Sequence, residues 1–170
     1  EMCIRDSNRN LTGETIFKDE KTPKDRYILV VLVFIQNSKG DFLIQKRSKL
    51  KDSKYGSTGG HPKTGENSIQ GMMTEIKEEI GLEVQKDDLK LFYSDRDDKD
   101  QVFFDLYYMK KDLDINTLVL QEEEVESIEW DSLEDIQALR DAGKFKRAHA
   151  EAFDRLLKLM NNNCLLYTSP

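Results

Sequence analysis

The chain has 170 residues and a formal net charge of −7, with 35% charged and 38% hydrophobic residues. That balance suits one soluble globular domain with a sizeable core and excludes a disordered chain. The acidic charge, with no basic stripe, argues against a nucleic-acid polymer as partner, and no apolar run approaches the roughly 20 residues that cross a membrane.

The N-terminus lacks the charged, apolar and small-residue regions of a signal peptide, so a cytoplasmic protein is expected. The two cysteines, Cys3 and Cys164, stand at opposite ends, and no structural disulfide is expected in that compartment. "MCIRDS" (Met2 to Ser7) and "CLLYTSP" (Cys164 to Pro170) resemble translated sequencing-adapter fragments at the ends of assembled reading frames. Residues 1–7 and 164–170 are therefore expected to be non-native tails, with a single domain over 8–160. A phosphate-bearing ligand of so acidic a chain would need its charge met locally, most simply by a divalent cation.

Residues 8–25 are polar, punctuated by Gly and Pro, and read as a short hairpin or arm. "YILVVLVFIQ" (27–36) is β-branched and apolar, which predicts a central strand. Asn37 to Gly40 supplies turn chemistry, and Asp41 to Arg47 alternates as the returning strand. Ser48 to Gly65 reads as a loop rich in Gly, Ser and Lys. A helix is predicted from a capping box at Asn67 and Gln70 to a stop at Gly81. Leu89 to Ser94 and Gln101 to Met109 predict two strands joined by the acidic turn "DRDDKD". Glu124 to Trp130 predicts another strand. Ser132 and Asp135 form a capping box for a helix to about Asp141. A last helix over 144–160 should bury Phe145, Ala148, Ala152, Phe153, Leu156 and Met160. The order of strands, helix, strands and helices implies a mixed sheet covered by helices.

The helix at 67–81 carries the chemistry. At about 100° per residue, Ile69, Met72, Met73, Ile76 and Ile80 share one stripe, and Glu75, Glu78 and Glu79 fall beside it. Like charges at that spacing repel, and Lys77 and Lys86 offset them only in part. Taken alone, the helix is either a solvated acidic face or an oxygen cluster for a hard cation such as Mg²⁺. Just upstream, Gly59 and Gly60 give a backbone able to bend sharply and expose its carbonyls, and Glu66 adds a carboxylate at the helix entrance.

The whole stretch Gly60 to Leu82 resembles the signature of the Nudix hydrolases, G-x5-E-x7-R-E-U-x-E-E-x-G-U with U aliphatic, at eight of nine specified positions. "FLIQKRS" and "EVESIEWDSLEDI" resemble the same family. The resemblance implies an α/β/α sandwich with a mixed sheet. It implies Mg²⁺ or Mn²⁺ held by Glu75, Glu78 and Glu79 with the Gly59 carbonyl, and Gly60, Glu66 and Gly81 supporting the site. The implied reaction is cleavage of a diphosphate linkage in a small nucleoside diphosphate derivative or related compound, with Glu75 the candidate base and Glu122, Glu123 and Glu124 outside candidates.

The match departs at Thr74, where the signature has arginine. Threonine carries no charge and cannot form a fork to a carboxylate. That leaves three alternatives: a weaker enzyme, a cation supplied from elsewhere in the fold, or a domain that binds without turning over. "GGHPKTGE" and "NSKGDFLIQKRS" also resemble isopentenyl-diphosphate isomerases. In those enzymes a cysteine precedes the Gly-His-Pro, where this chain has Gly59, and several histidines bind metal, where this chain has only His61 and His149. Lys46, Arg47 and His61 are candidates to meet substrate phosphates. One or two of Phe92, Tyr93, Phe103, Phe104, Tyr107 and Tyr108 are candidates to stack on a flat group. The oligomeric state is not legible.

Overall fold

The structure, a computed structural model, describes residues 1–162. Among these residues, nine strands and three longer helices form in chain order. β1 (Met2–Arg5) and β2 (Leu11–Ile16) make a separate antiparallel hairpin. β3 (Ile28–Gln36), β4 (Phe42–Arg47), β5 (Tyr55–Gly56) and β6 (Thr58–Gly60) precede helix α1 (Ser68–Ile80). β7 (Lys90–Asp97), β8 (Val102–Lys110) and β9 (Val125–Asp131) precede α2 (Leu133–Asp141) and α3 (Arg147–Asn161).

The central sheet is mixed. β3 runs parallel to β8 over nine consecutive pairs, Ile28 with Val102 to Gln36 with Lys110. β6 pairs antiparallel with β3, β7 with β8, and β4 lies between β5 and β9. Alternation along β3 divides the core. Val31, Val33 and Ile35 face α1 with Met72, Ile76 and Ile80. Leu32 and Phe34 face the other way, onto Phe145, Phe153 and Leu156. β8 splits likewise, with Phe103, Tyr107 and Met109 on one side and Leu106 and Tyr108 on the other. A strand buried on both faces has to be apolar throughout, which is why residues 27–36 read as an unbroken apolar run. The expected α/β/α sandwich is the one observed.

Four details differ from the sequence reading. The hairpin begins at Met2, inside the segment set aside as a tail; Met2 and Ile4 are buried against Ile16. The other expected tail, 164–170, lies outside the described residues, and Cys3 is a free thiol. β7 continues to Asp97, because Asp95, Arg96 and Asp97 still pair with Phe104, Phe103 and Val102, so the acidic turn is shorter than expected. The loop 48–65 contains β5 and β6. Finally, α3 starts at Arg147, because Lys144 and Lys146 spend their backbone groups on Tyr55: Tyr55 N–H donates to Lys144 and Lys146 N–H donates to Tyr55. Phe145 is buried ahead of the helix, Ala150 takes a buried position, and Ala148 is exposed.

The N-terminal hairpin is fastened to the domain by the Arg5–Tyr27 backbone bridge and by one buried acid. Asp105 on β8 accepts a two-pronged pairing from Arg9 and hydrogen bonds from Ser68 and Ser94. These bonds hold its carboxyl below the ordinary value although burial opposes them. Ser68 opens α1, so the same acid fixes the start of the helix. Ile76 is fully buried where α1 meets β3. Ile76→Ala should lower unfolding free energy by about 3 kcal/mol, read as a lower urea midpoint at unchanged slope.

Candidate active site

The site begins with how α1 is placed. Asn67 caps it: its side chain accepts from Gln70 N–H while the Gln70 side chain accepts from Asn67 N–H. Gly81 ends it with φ 68°, a left-handed turn that glycine adopts at no steric cost. β6 lies against β3, so Gly59 and Gly60 are strand residues rather than a free loop. A Cβ on Gly60 would stand 2.5 Å from Glu75 Oε2, so any side chain there would displace the Glu75 carboxyl. A Cβ on Gly59 would meet the Val31 carbonyl oxygen at 2.6 Å. The Glu75 carboxyl is thus lodged directly on the β6 backbone.

The three helix glutamates occupy three different environments. Glu79 is only 5% exposed and belongs to the buried set of α1 with Met72 and Ile76. Gln45 Nε2 donates to it at 3.4 Å, Gln45 is itself held by the Thr58 hydroxyl, and the Gly59 backbone also hydrogen-bonds its carboxyl. Those bonds do not offset the loss of water. Burial, then the charge of Glu75, pushes Glu79 up to about 8. Glu75 is half-buried; burial, then Glu78, pushes it up to about 7, against the pull of Lys63 and Lys18. Glu78 is exposed and paired with the Lys63 ammonium. Among the described residues no three His, Cys, Asp or Glu side chains converge on one cation position: Glu75 and Glu79 lie together while Lys63 draws Glu78 aside.

Thr74 has a definite partner. Its hydroxyl donates to Glu66 Oε2 at 2.5 Å, and Lys63 N–H donates to Glu66 Oε1 at 2.8 Å. Glu66 therefore ties the entrance loop to the middle of the helix. The positive charge that the signature supplies from position 74 comes here from Lys63, whose ammonium is held above its ordinary value by Glu78, Glu75 and Glu66 despite partial burial.

The NUDIX domain family profile matches residues 26–156. The chain belongs to the Nudix family. An uncharacterized Nudix hydrolase of Listeria monocytogenes is 34% identical over 149 residues, covering 85% of this chain and 87% of that protein. Among solved structures, DR0079 of Deinococcus radiodurans superposes with a TM-score of 0.74 at 20% identity, covering 90% of this chain and 97% of that one. The NUDIX domain of Shewanella oneidensis NrtR, solved with ADP ribose, superposes at 0.64 with 14% identity, covering 87% and 95%. These likenesses at low identity show the Nudix fold; the profile and the Listeria relative place the chain among the Nudix pyrophosphohydrolases.

Around this Nudix helix the other sequence candidates separate. Lys46 pairs with Glu126 across β4 and β9, at 2.9 Å. Arg47 points to Asp52, at 2.9 Å. His61 Nδ1 lies 3.1 Å from the Leu29 carbonyl, and burial keeps its pKa low. His149, half-buried on α3 and pushed down to about 3 by loss of water, is a neutral ring whose Nδ1 accepts from Ser57 N–H. Of the three outside acids, Glu122 and Glu123 are exposed, and only Glu124 acts through its charge on both Glu75 and Glu79. Ser48 N–H donates to the Glu124 carbonyl, fixing that turn beside β4. The sequence reading missed Gln45, Lys63, Lys18, Lys51 and Lys146. Gln45 had a usable signal, a polar residue in a strand otherwise destined for burial. Lys63 stands inside the Gly60–Leu82 stretch but carried no mark of its pairing, and Lys18, Lys51 and Lys146 come from three separate segments.

The raised carboxyls make stability pH-dependent. In the unfolded chain Glu75 and Glu79 titrate near 4.5; in the fold they keep their protons to about 7 and about 8. Asp131, pushed from 3.8 to about 8 by burial and by Glu129, acts in the same sense. Between these limits the native state binds more protons than the unfolded state, so stability falls as pH rises. The histidines, held neutral in the fold, oppose this below their unfolded pKa of 6.5, so in EDTA the melting temperature should fall between pH 6.5 and pH 8. Glu79→Gln and Asp131→Asn should each reduce that slope, with the share of Glu75 left in place.

Proposed function

We propose that this Nudix enzyme is a divalent-cation-dependent hydrolase of small diphosphate compounds, nucleoside diphosphate derivatives or related molecules. Glu75, Glu78 and Glu79 hold Mg²⁺ or Mn²⁺, with help from the Gly59 backbone; Gly60, Glu66 and Gly81 keep the helix and loop in place. One observation carries this reading: Glu79, a carboxylate with 5% exposure, has no cation partner among the described residues and has Glu75 beside it. Burying such a group costs stability unless something positive joins it. An oxygen donor set of this kind fits a hard divalent ion. Glu78 reaches the pair by letting go of Lys63, a rearrangement confined to the helix surface.

A bound cation supplies Lewis acidity and lowers the pKa of a coordinated water. The protein's own part is to place the diphosphate and take a proton. Water oxygen bonds to one phosphorus, the bridging P–O bond breaks, and the departing phosphate keeps the electron pair. Glu75 receives the water's proton: it is lodged against Gly60 beside Glu79, next to where the cation and its water would sit. Glu124 is the second candidate because it faces the same pair.

The test is turnover of a panel of nucleoside triphosphates, ADP-ribose, sugar nucleotides, dinucleoside polyphosphates and a prenyl diphosphate, with Mg²⁺ or Mn²⁺. Cleavage of one class should require the cation and drop at least about 100-fold in Glu78→Gln. A folded, cation-binding sample that cleaves none of them would point to a binding domain, and Thr74→Arg would show whether the absent arginine is the cause. Independently of turnover, Mg²⁺ should raise the melting temperature more at pH 8 than at pH 6, because protons compete for the same carboxylates. Glu79→Gln should abolish the shift.

A further inference from the structure

Beside the glutamates the fold gathers an excess of positive charge. Lys18, from the turn after β2, and Lys51, from the loop after β4, both approach Glu124 Oε1, at 3.9 and 3.1 Å. Arg47, at the end of β4, pairs with Asp52. Lys146, ahead of α3, has no ion-pair partner among the described residues. It feels Arg47, Lys51 and Lys18, and only Asp52 opposes them. Four cations thus share two carboxylates in a protein whose net charge is −7. Like charges do not crowd without a counter-charge at no cost.

The backbone builds this crowd rather than leaving it to chance. Arg47 N–H donates to the Lys54 carbonyl, and the next residue, Tyr55, is bonded on its other side to Lys144 and Lys146. The strand end and the segment before α3 are therefore adjacent rungs of one ladder. Alternation puts Arg47 on the same face of β4 as Gln45, whose amide touches Glu79. Lys46, on the opposite face, is satisfied by Glu126. Lys18 acts on Glu75 as well as on Lys146, so the cluster borders the acids directly. Burial and its cationic neighbours push the Lys146 ammonium below the usual lysine range, as expected where the counter-anion is not part of the chain.

We propose that Lys18, Arg47, Lys51 and Lys146 form an anion subsite for a terminal, unesterified phosphate. The enzyme then prefers substrates that end in a free phosphate, such as nucleoside di- or triphosphates or alkyl diphosphates, over diphosphates esterified at both ends. This rests on the hydrolase reading for its kinetic consequence but not for its binding consequence. The count supports it: the two uncompensated positive charges match a dianionic terminal phosphate, whereas an internal phosphodiester brings only one negative charge per phosphorus.

The experiment has two arms. In EDTA, inorganic pyrophosphate is titrated into the full chain by calorimetry. It should bind, weaken with salt, lose at least about tenfold in affinity in Lys146→Ala, and recover in Lys146→Arg. Lys146 uses its backbone, not its side chain, to bond Tyr55, so the variant keeps that rung; Lys51→Ala should repeat the loss. In the second arm, Lys146→Ala should raise KM about tenfold for substrates with a free terminal phosphate and leave KM for ADP-ribose and dinucleoside polyphosphates within twofold. No pyrophosphate binding, or binding indifferent to both lysine variants, overturns the subsite. An equal KM rise for both substrate classes overturns the preference. Failure of the hydrolase reading would appear differently, as intact pyrophosphate binding with no turnover of any compound.

Discussion

Everything at this site follows from one unfavourable burial. Glu79 occupies a position on α1 in step with Met72 and Ile76, and so points where an apolar side chain would stabilise the fold. Its hydrogen bonds from Gln45 and the Gly59 backbone fix its direction without satisfying its charge. Glu75 beside it makes ionisation of either harder. A helix stabilised only by its own packing would carry isoleucine or leucine there. The fold gives up stability to hold two desolvated carboxylates side by side, an arrangement whose use is to attract a cation.

That burial explains the neighbours. Gly60 leaves the Glu75 carboxyl the space a side chain would otherwise take, and so keeps it where it is. Gly81 is needed because the chain must turn sharply at once after Glu79 and Ile80, so that Gln121 N–H can bond the Glu79 carbonyl and Val119 N–H the Ile80 carbonyl. Those bonds bring the 119–124 segment, and with it Glu124, against the helix. The replacement of arginine by Thr74 is accommodated in two parts. A hydroxyl keeps the tie to Glu66, and Lys63 provides the charge. An arginine combines direction and charge in one group; here they reside on two residues, and the lysine, a flexible point charge, can leave Glu78 more readily than a bidentate fork could.

Much of the fold was legible because local rules and burial agree along most of the chain. The capping residues Asn67 and Ser132 and the stop at Gly81 were read correctly from the sequence alone, as was the doubly buried strand at residues 27–36. The misses share a cause. β5, β6 and the extended 144–146 segment are set by partners distant in sequence, so their residues look like loop or helix until Tyr55 and β3 are in place. On α1 the family resemblance identified the glutamates, yet the helical wheel put all three on a flank. Position 79 is seven residues from Met72, one heptad, and that spacing alone places it on the buried stripe. The acidic identity concealed what the period showed. Of the basic cluster only Arg47 was a sequence candidate, since no window of sequence contains Lys18, Arg47 and Lys146 together.

β4 organises these parts into one surface. Leu43 enters the core beneath α1, while Phe42 and Ile44 enter the core on the α3 side. Gln45 then meets Glu79, and Arg47 joins the lysines. Two residues along a strand span about 7 Å, so both ends of this surface lie within reach of one short polyphosphate. The acids at one end of that span and the cations at the other fit opposite needs of a single polyanion: a cation-bound phosphate to be attacked, and a charged end to be held still. Each half of the surface is electrostatically unfavourable in isolation. Glu75 and Glu79 resist ionisation in one half and Lys146 holds its proton less firmly in the other, and the pull of Lys18 on Glu75 does not offset that burial. A ligand that carries its negative charge at one end and brings a divalent cation at the other relieves both at once.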